Sequence, residues 1–190
     1  MFPIETHPWP AFLPDRAKVL IMGTFPPGEH RRSMEFYYPN PTNDFWRIMG
    51  LIFYGNRDAL YDRDARCFHL DTVSAFAAEK GIALNDTGYR VRRLRGNASD
   101  KYLEIIEPVD LAALLRRIPD CRTIATTGEK AAGVIASLTA TTIPAMGTAV
   151  PWGEYSIWRC PSTSRAYPLA VERKADYYRQ LFVAAGIINH

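Results

Sequence analysis

The stretch GTFPPGEHRRSMEFYYPNPTNDFW, from Gly23 to Trp46, concentrates residue types able to do chemistry. Consecutive backbone N–H groups around Gly23, Thr24 and Phe25 can cradle an anion, as can those of the distant Ser162-Thr163-Ser164 turn. Phe25, Phe36, Tyr37 and Tyr38 offer flat aromatic faces, with Arg31-Arg32 among them. Aromatic faces beside basic side chains suit a nucleobase with phosphates nearby. Phe45, Trp46 and Phe53 recur at helical spacing and read as core. Tyr37-Tyr38, between the arginine pair and a Pro-Asn-Pro turn, are harder to explain by packing. Taken alone, Asn43 is a capping or turn asparagine.

Absent motifs narrow the chemistry further. No GxxxxGK[ST] or GxGxxG follows the first apolar run, which excludes the common nucleotide phosphate loops. No GxSxG elbow is present, so an α/β-hydrolase is not expected. His7, His30, His69 and His190 form no metal-ligand spacing. His7 and His190 read as solvent-facing residues near the ends, and His30 as an exposed loop histidine. Cys67, Cys121 and Cys160 lie far apart without a CxxC pair. Three reduced thiols are expected, with no metal, no iron–sulfur cluster and no cofactor.

These residues need a scaffold, and short apolar runs alternating with helical stretches supply one. Ala17 to Met22 predicts a fully buried strand. Asn40-Pro41 predicts a cap and first helical residue, with the helix closed by Gly55-Asn56. Asp71 predicts the cap of a helix to Lys80, and Ile82 to Leu84 a short strand. The basic segment from Tyr89 to Lys101 reads as a long loop. Asp110 predicts a helix to Arg117, and Thr123 to Thr126 a strand followed by a helix from Glu129 to Leu138. Residues Thr139 to Trp152 read as irregular, Glu154 to Arg159 as a strand, and Leu169 to Ala185 as a last helix.

The pattern predicts a three-layer α/β/α sandwich around a central, mostly parallel four-stranded sheet. Ligands of such sheets bind at the carboxyl ends of the strands. Here those ends are Gly23-Thr24-Phe25-Pro26, Asn85-Asp86-Thr87, Thr126-Thr127-Gly128 and Pro161-Ser162-Thr163-Ser164, a polar rim.

With 190 residues, 47% hydrophobic and 23% charged, the chain has the composition of one soluble domain spanning 1–190. The net charge of +3 is only mildly basic, so local runs such as Arg90 to Arg95 say more than the total. No apolar stretch reaches bilayer length, and the first residues lack a signal-peptide pattern, so no membrane association and a cytoplasmic location are expected. A monomer is expected.

VLIMGTFPPG followed by YYPNPTNDFW resembles the uracil-DNA glycosylase superfamily, where Gly-x-x-Pro at the first strand end precedes a Pro-x-Asn-x-Phe-Trp stretch in the mismatch-specific and hypoxanthine-directed branches. CPSTSRAYP is similar to the superfamily's Pro-Ser loop, and TTGEKA to the turn preceding it. The resemblance runs from about Ala17 to the last helix. Enzymes most active on uracil carry an acidic or amide residue just after the first-motif glycine and a histidine before Pro-Ser. Thr24-Phe25 and Cys160 stand there instead, which points to the hypoxanthine-directed side.

The resemblance implies a monofunctional DNA glycosylase of base excision repair, acting on DNA with a flipped, deaminated or damaged base of hypoxanthine or uracil type. It implies Asn43 as the holder of the attacking water and Ser162 as a stabiliser of the departing base. Gly23, Thr24, Phe25, Tyr37, Tyr38 and Thr127 would bind the base. Arg31, Arg32, Arg92, Arg93, Lys101, Thr163, Ser164 and Arg165 would bind DNA, with Arg165 or Ala166 filling the gap the base leaves. Two other classes compete: a DNA- or nucleotide-binding module that kept the fold without the chemistry, and a hydrolase of free nucleosides. The basic run Arg90 to Arg95 argues against the latter.

Overall fold

The computed structural model describes residues 2–95 and 100–189; four positions of the predicted basic loop, 96–99, and the expectation for His190 lie outside these. In chain order the strands are β1 (Ile4–Thr6), β2 (Val19–Gly23), β3 (Ile82–Asp86), β4 (Gly88–Arg93), β5 (Leu103–Pro108), β6 (Thr123–Thr127), β7 (Ala149–Trp152) and β8 (Tyr155–Cys160). The α-helices are α1 (Phe45–Tyr54), α2 (Leu70–Lys80), α3 (Leu111–Arg117), α4 (Glu129–Thr139) and α5 (Val171–Ala184).

The main sheet has the order β3-β2-β6-β8-β7. Its β3, β2, β6 and β8 run parallel, and β7 pairs antiparallel with β8 at the edge. Every residue of β2 is buried because both faces of the strand are covered. Val19 and Ile21 pack with α1, α2 and α5. Leu20 and Met22 face the opposite way and pack with α3 and α4. Two helical layers thus enclose the sheet, as expected. The strand number differs from the four expected: residues 149–152, read as irregular, form β7, a short edge strand whose proline and tryptophan conceal a simple alternation.

The larger correction is the basic segment. Instead of one long loop, β4 and β5 form an antiparallel pair, and β1 adds to β4. Val91 and Leu103 are buried beneath the small sheet. Arg92 and Glu104 pair across the strands at 2.8 Å, and Arg90 and Glu107 at 3.6 Å. Glutamates on the partner strand therefore partner these arginines, which charge density along β4 alone does not show.

Helix ends follow local chemistry. Asp110 caps α3, its carboxylate accepting from Ala113 N–H at 2.9 Å. Gly55 and Gly81 end α1 and α2 in the left-handed conformation. Helix α1 starts at Phe45 rather than at Pro41, because Asn40 is spent on a turn, its Oδ1 accepting from Thr42 N–H at 3.0 Å.

Candidate active site at the carboxyl rim

The chain passes from β2 to β3 on one side and returns to β6 on the other, so the sheet changes direction between β2 and β6. A crevice at such a switch is where open α/β sheets hold ligands. A cleft of about 660 Å³ opens there, walled by the loop after β2, the end of β3, the end of β6 and the loop after β8.

Its floor is Gly23. A Cβ on that residue would lie 2.6 Å from Asp86 Oδ1, 3.4 Å from the Tyr38 hydroxyl and 3.6 Å from Thr127 Oγ1. The absent side chain thus lets three polar groups from three segments converge. The Gly23 and Thr24 carbonyls accept from the Thr87 and Gly88 N–H groups, tying the first loop to the β3–β4 corner. Gly23→Ala is expected to overpack this floor and destabilise the fold by about 1–3 kcal/mol, read as a lower urea midpoint. An unchanged midpoint would mean the carboxylate yields freely.

Beside the floor, Phe25 is half-buried and lines the cleft, while Tyr38 stacks on Phe45 with centroids 3.8 Å apart. Tyr38 holds φ at +53°, a left-handed value that a bulky residue adopts only where its surroundings impose it. Asn43 lines the same cleft. Its Oδ1 accepts from Phe45 N–H at 2.9 Å, so from one residue ahead of the N-cap, Asp44, it satisfies the first N–H of α1. Among the described residues its amide nitrogen has no hydrogen-bond partner. Holding that N–H and facing the cleft are therefore compatible roles.

The opposite wall is Ser162 to Tyr167. Ser162 Oγ accepts from Ser164 N–H at 3.2 Å, shaping the turn. The wall is fastened to α1 from beneath: Asp44 N–H donates to the Thr163 carbonyl at 2.9 Å. Lys174 of α5 is fully buried, with Nζ 2.9 Å from Asp44 Oδ2 and donating to the Ser164 carbonyl at 2.8 Å. Arg165, half exposed, reaches Asp44 Oδ1 at 3.5 Å.

No family model matches the chain. The hypoxanthine DNA glycosylase of Methanosarcina acetivorans is 27% identical over 124 residues, covering 65% of this chain and 71% of that protein. A solution NMR structure of a candidate uracil DNA glycosylase from the same organism has a TM-score of 0.66 at 24% identity, covering 94% of this chain and 99% of that one; that likeness shows the fold. The chain resembles the uracil-DNA glycosylase superfamily, nearest its hypoxanthine-directed branch.

In this glycosylase-like frame the structure gathers Gly23, Thr24, Phe25, Tyr38, Thr127, Asn43 and Ser162 around one cleft. Arg31, Lys101, Thr163, Ser164 and Arg165 line it too. Thr163 is buried there, and its carbonyl holds Asp44. Arg32 lies in a neighbouring basic hollow with His30 and Arg31. Tyr37 must be reassigned from base stacking to packing. It is 1% exposed, and its hydroxyl lies 3.0 Å from the Pro10 carbonyl and 2.9 Å from Asn85 Oδ1, sharing its one proton between these acceptors. Burial first, then the Asp86 charge, pushes its phenol far above the usual range. Arg92 and Arg93 do not line the cleft. Arg93 Nε donates to Glu5 at 2.9 Å and its terminal nitrogen to the Pro26 carbonyl at 2.6 Å, so it braces the first loop. Cys160, in the position of the family histidine, is fully buried, and burial pushes its thiol up, which leaves it an inert core residue.

Two residues escaped the sequence reading. Asp86 was visible as a strand-end acid on the polar rim, but only the fold sets it under Gly23. His7 was read as a solvent residue, yet its side chain is 5% exposed and its Nε2 is 2.9 Å from Asp86 Oδ2. No local signal marks it, because the pairing of β1 with β4 carries it there; His7 N–H donates to the Tyr89 carbonyl at 2.8 Å. Among the described residues no helix is long and apolar enough to cross a membrane. Among them, too, no group of three or more His, Cys, Asp or Glu is placed to hold a metal ion.

Proposed function

We propose that this protein is a monofunctional DNA glycosylase that takes a flipped, deaminated base of hypoxanthine or uracil type into the cleft and hydrolyses its N-glycosidic bond. The observation that carries this reading is the meeting of a half-buried aromatic face, Phe25, an amide nitrogen without a partner among the described residues, Asn43, and a strand-end acceptor, Asp86, in one cleft. A base inside a duplex cannot reach such a cleft, so the nucleotide must leave the stack. Phe25 offers the stacking face. Deamination turns an adenine or cytosine ring nitrogen from acceptor to N–H donor, and Asp86 Oδ1 is an acceptor for that group.

As the bond from C1′ breaks, its electron pair stays on the base and the sugar gains oxocarbenium character. Asn43 Nδ2 holds the water oxygen that bonds to C1′; an amide positions this water and does not deprotonate it. Hydrolysis ends with a hydroxyl on C1′ and the second water proton on the free base. The Gly23 to Phe25 turn and the Ser162 hydroxyl stabilise the base while it carries the negative charge. Arg31, Lys101 and Arg165 at the cleft, with Arg32 beside it, meet the phosphates.

The test is excision from single- and double-stranded oligonucleotides carrying uracil, hypoxanthine, xanthine or thymine, scored by alkaline cleavage at the abasic site. Cleavage of a deaminated substrate is expected. Salt-sensitive DNA binding without cleavage would instead favour a binding module of the same fold.

A further inference from the structure

The scheme just described leaves unused a buried ionisable group that touches its acceptor, Asp86. His7 lies beneath the cleft, edge-on to Trp9 and Phe25 and stacked on Tyr37. Its Nδ1 is 2.8 Å from the Trp9 carbonyl, and its Nε2 is 2.9 Å from Asp86 Oδ2. A carbonyl oxygen only accepts, so Nδ1 carries a proton. The Nε2–Oδ2 contact needs a second proton, since otherwise two lone pairs would face each other. That proton makes the pair imidazolium with carboxylate or imidazole with carboxylic acid, and both forms are electrically neutral. In both forms Asp86 Oδ1, the oxygen above Gly23, remains an acceptor.

Resting on the glycosylase reading, we propose that His7 is a positioning residue that neutralises Asp86, so that Asp86 binds the ring N–H of the base without setting a net negative charge beside the departing base anion. A bare carboxylate would accept the same N–H and bind the substrate. It would then repel the electron pair arriving on the base when the C1′–N bond breaks, in a cleft where water screens poorly. Neutralising the acceptor therefore favours the chemical step more than binding.

The ionisable groups around the pair are few. The Tyr37 hydroxyl stays protonated for the reasons given above, and the Tyr38 hydroxyl faces Gly23. Arg32 and Arg93 lie behind the aromatic rings, 5.2 Å from the Trp9 centroid and 5.5 Å from that of Phe25. Arg31 and Lys101 stand on the cleft wall.

The experiment is single-turnover excision by the wild type, His7→Gln, Asp86→Asn and the double variant, beside DNA affinity. His7→Gln is expected to slow excision about 100-fold with affinity nearly unchanged. Asp86→Asn keeps a neutral acceptor at the cleft but alters a base-binding group, so it should be slower than the wild type and faster than His7→Gln. In the double variant the rate should return to within a few-fold of Asp86→Asn. Multiplying effects in the double variant, or wild-type rates in His7→Gln, would overturn the inference while the glycosylase reading stands. No excision by the wild type on any substrate would overturn both. The imidazole nitrogen NMR spectrum of His7, read without substrate, should show Nδ1 protonated; an unprotonated Nδ1 would also refute the neutral pair.

Discussion

Asn43→Ala is expected to slow excision about 100- to 1,000-fold in single turnover while DNA affinity changes little. The amide nitrogen is the part of Asn43 left for a ligand, and its loss removes an interaction made with the water rather than with the DNA. The same side chain satisfies the first N–H of α1, and losing that bond costs about 1 kcal/mol of stability. Asn43→Asp separates the two roles. It keeps an oxygen for Phe45 N–H and removes the donor, so it should melt like the wild type and remain slow. Recovery of excision in Asn43→Asp would show that this bond alone mattered.

Lys174→Met is expected to cause the largest loss of stability, about 3–5 kcal/mol, because it leaves the Asp44 carboxylate buried with a distant partner at best. For a chain of this size that corresponds to a fall in Tm of about 10 °C, measured by calorimetry. Adding Asp44→Leu removes the stranded charge and should restore much of the melting temperature. Excision should not return with it, since the Ser164 carbonyl has lost the ammonium that held it and Arg165 its carboxylate. A double variant both stable and fully active would show that the clamp serves folding alone.

The parallel core was legible because its strands are short runs rich in apolar and β-branched residues, buried on both faces, and its helices carry recognisable stops. Val19 to Gly23 and Thr123 to Thr127 sit where their composition places them. The small sheet was not legible, since Arg90, Arg92 and Arg93 mask an alternation that Val91 completes, and their glutamate partners lie a strand away. In the site, Gly23, Phe25, Asn43 and Ser162 could be found from short motifs. Tyr37 could not be told from Tyr38, because adjacent residues on an irregular loop take opposite fates, one turned into the core and one onto the cleft. Asp44, Lys174 and His7 depend on contacts between distant segments, which no local pattern encodes.

Those separations also bear on how the molecule matures. Asp44 and Lys174 are 130 residues apart, and His7 and Asp86 are 79 apart. Contacts closing such long loops form late in folding, after the chain has lost most of its freedom. During synthesis the half-cleft of β2, β3 and β6 can assemble while its second wall is still unmade. Only when α5 docks does Lys174 draw the last loop against α1. A chain in which that helix has not docked would present the polar rim without the clamp, so competence at the site depends on α5 being in place.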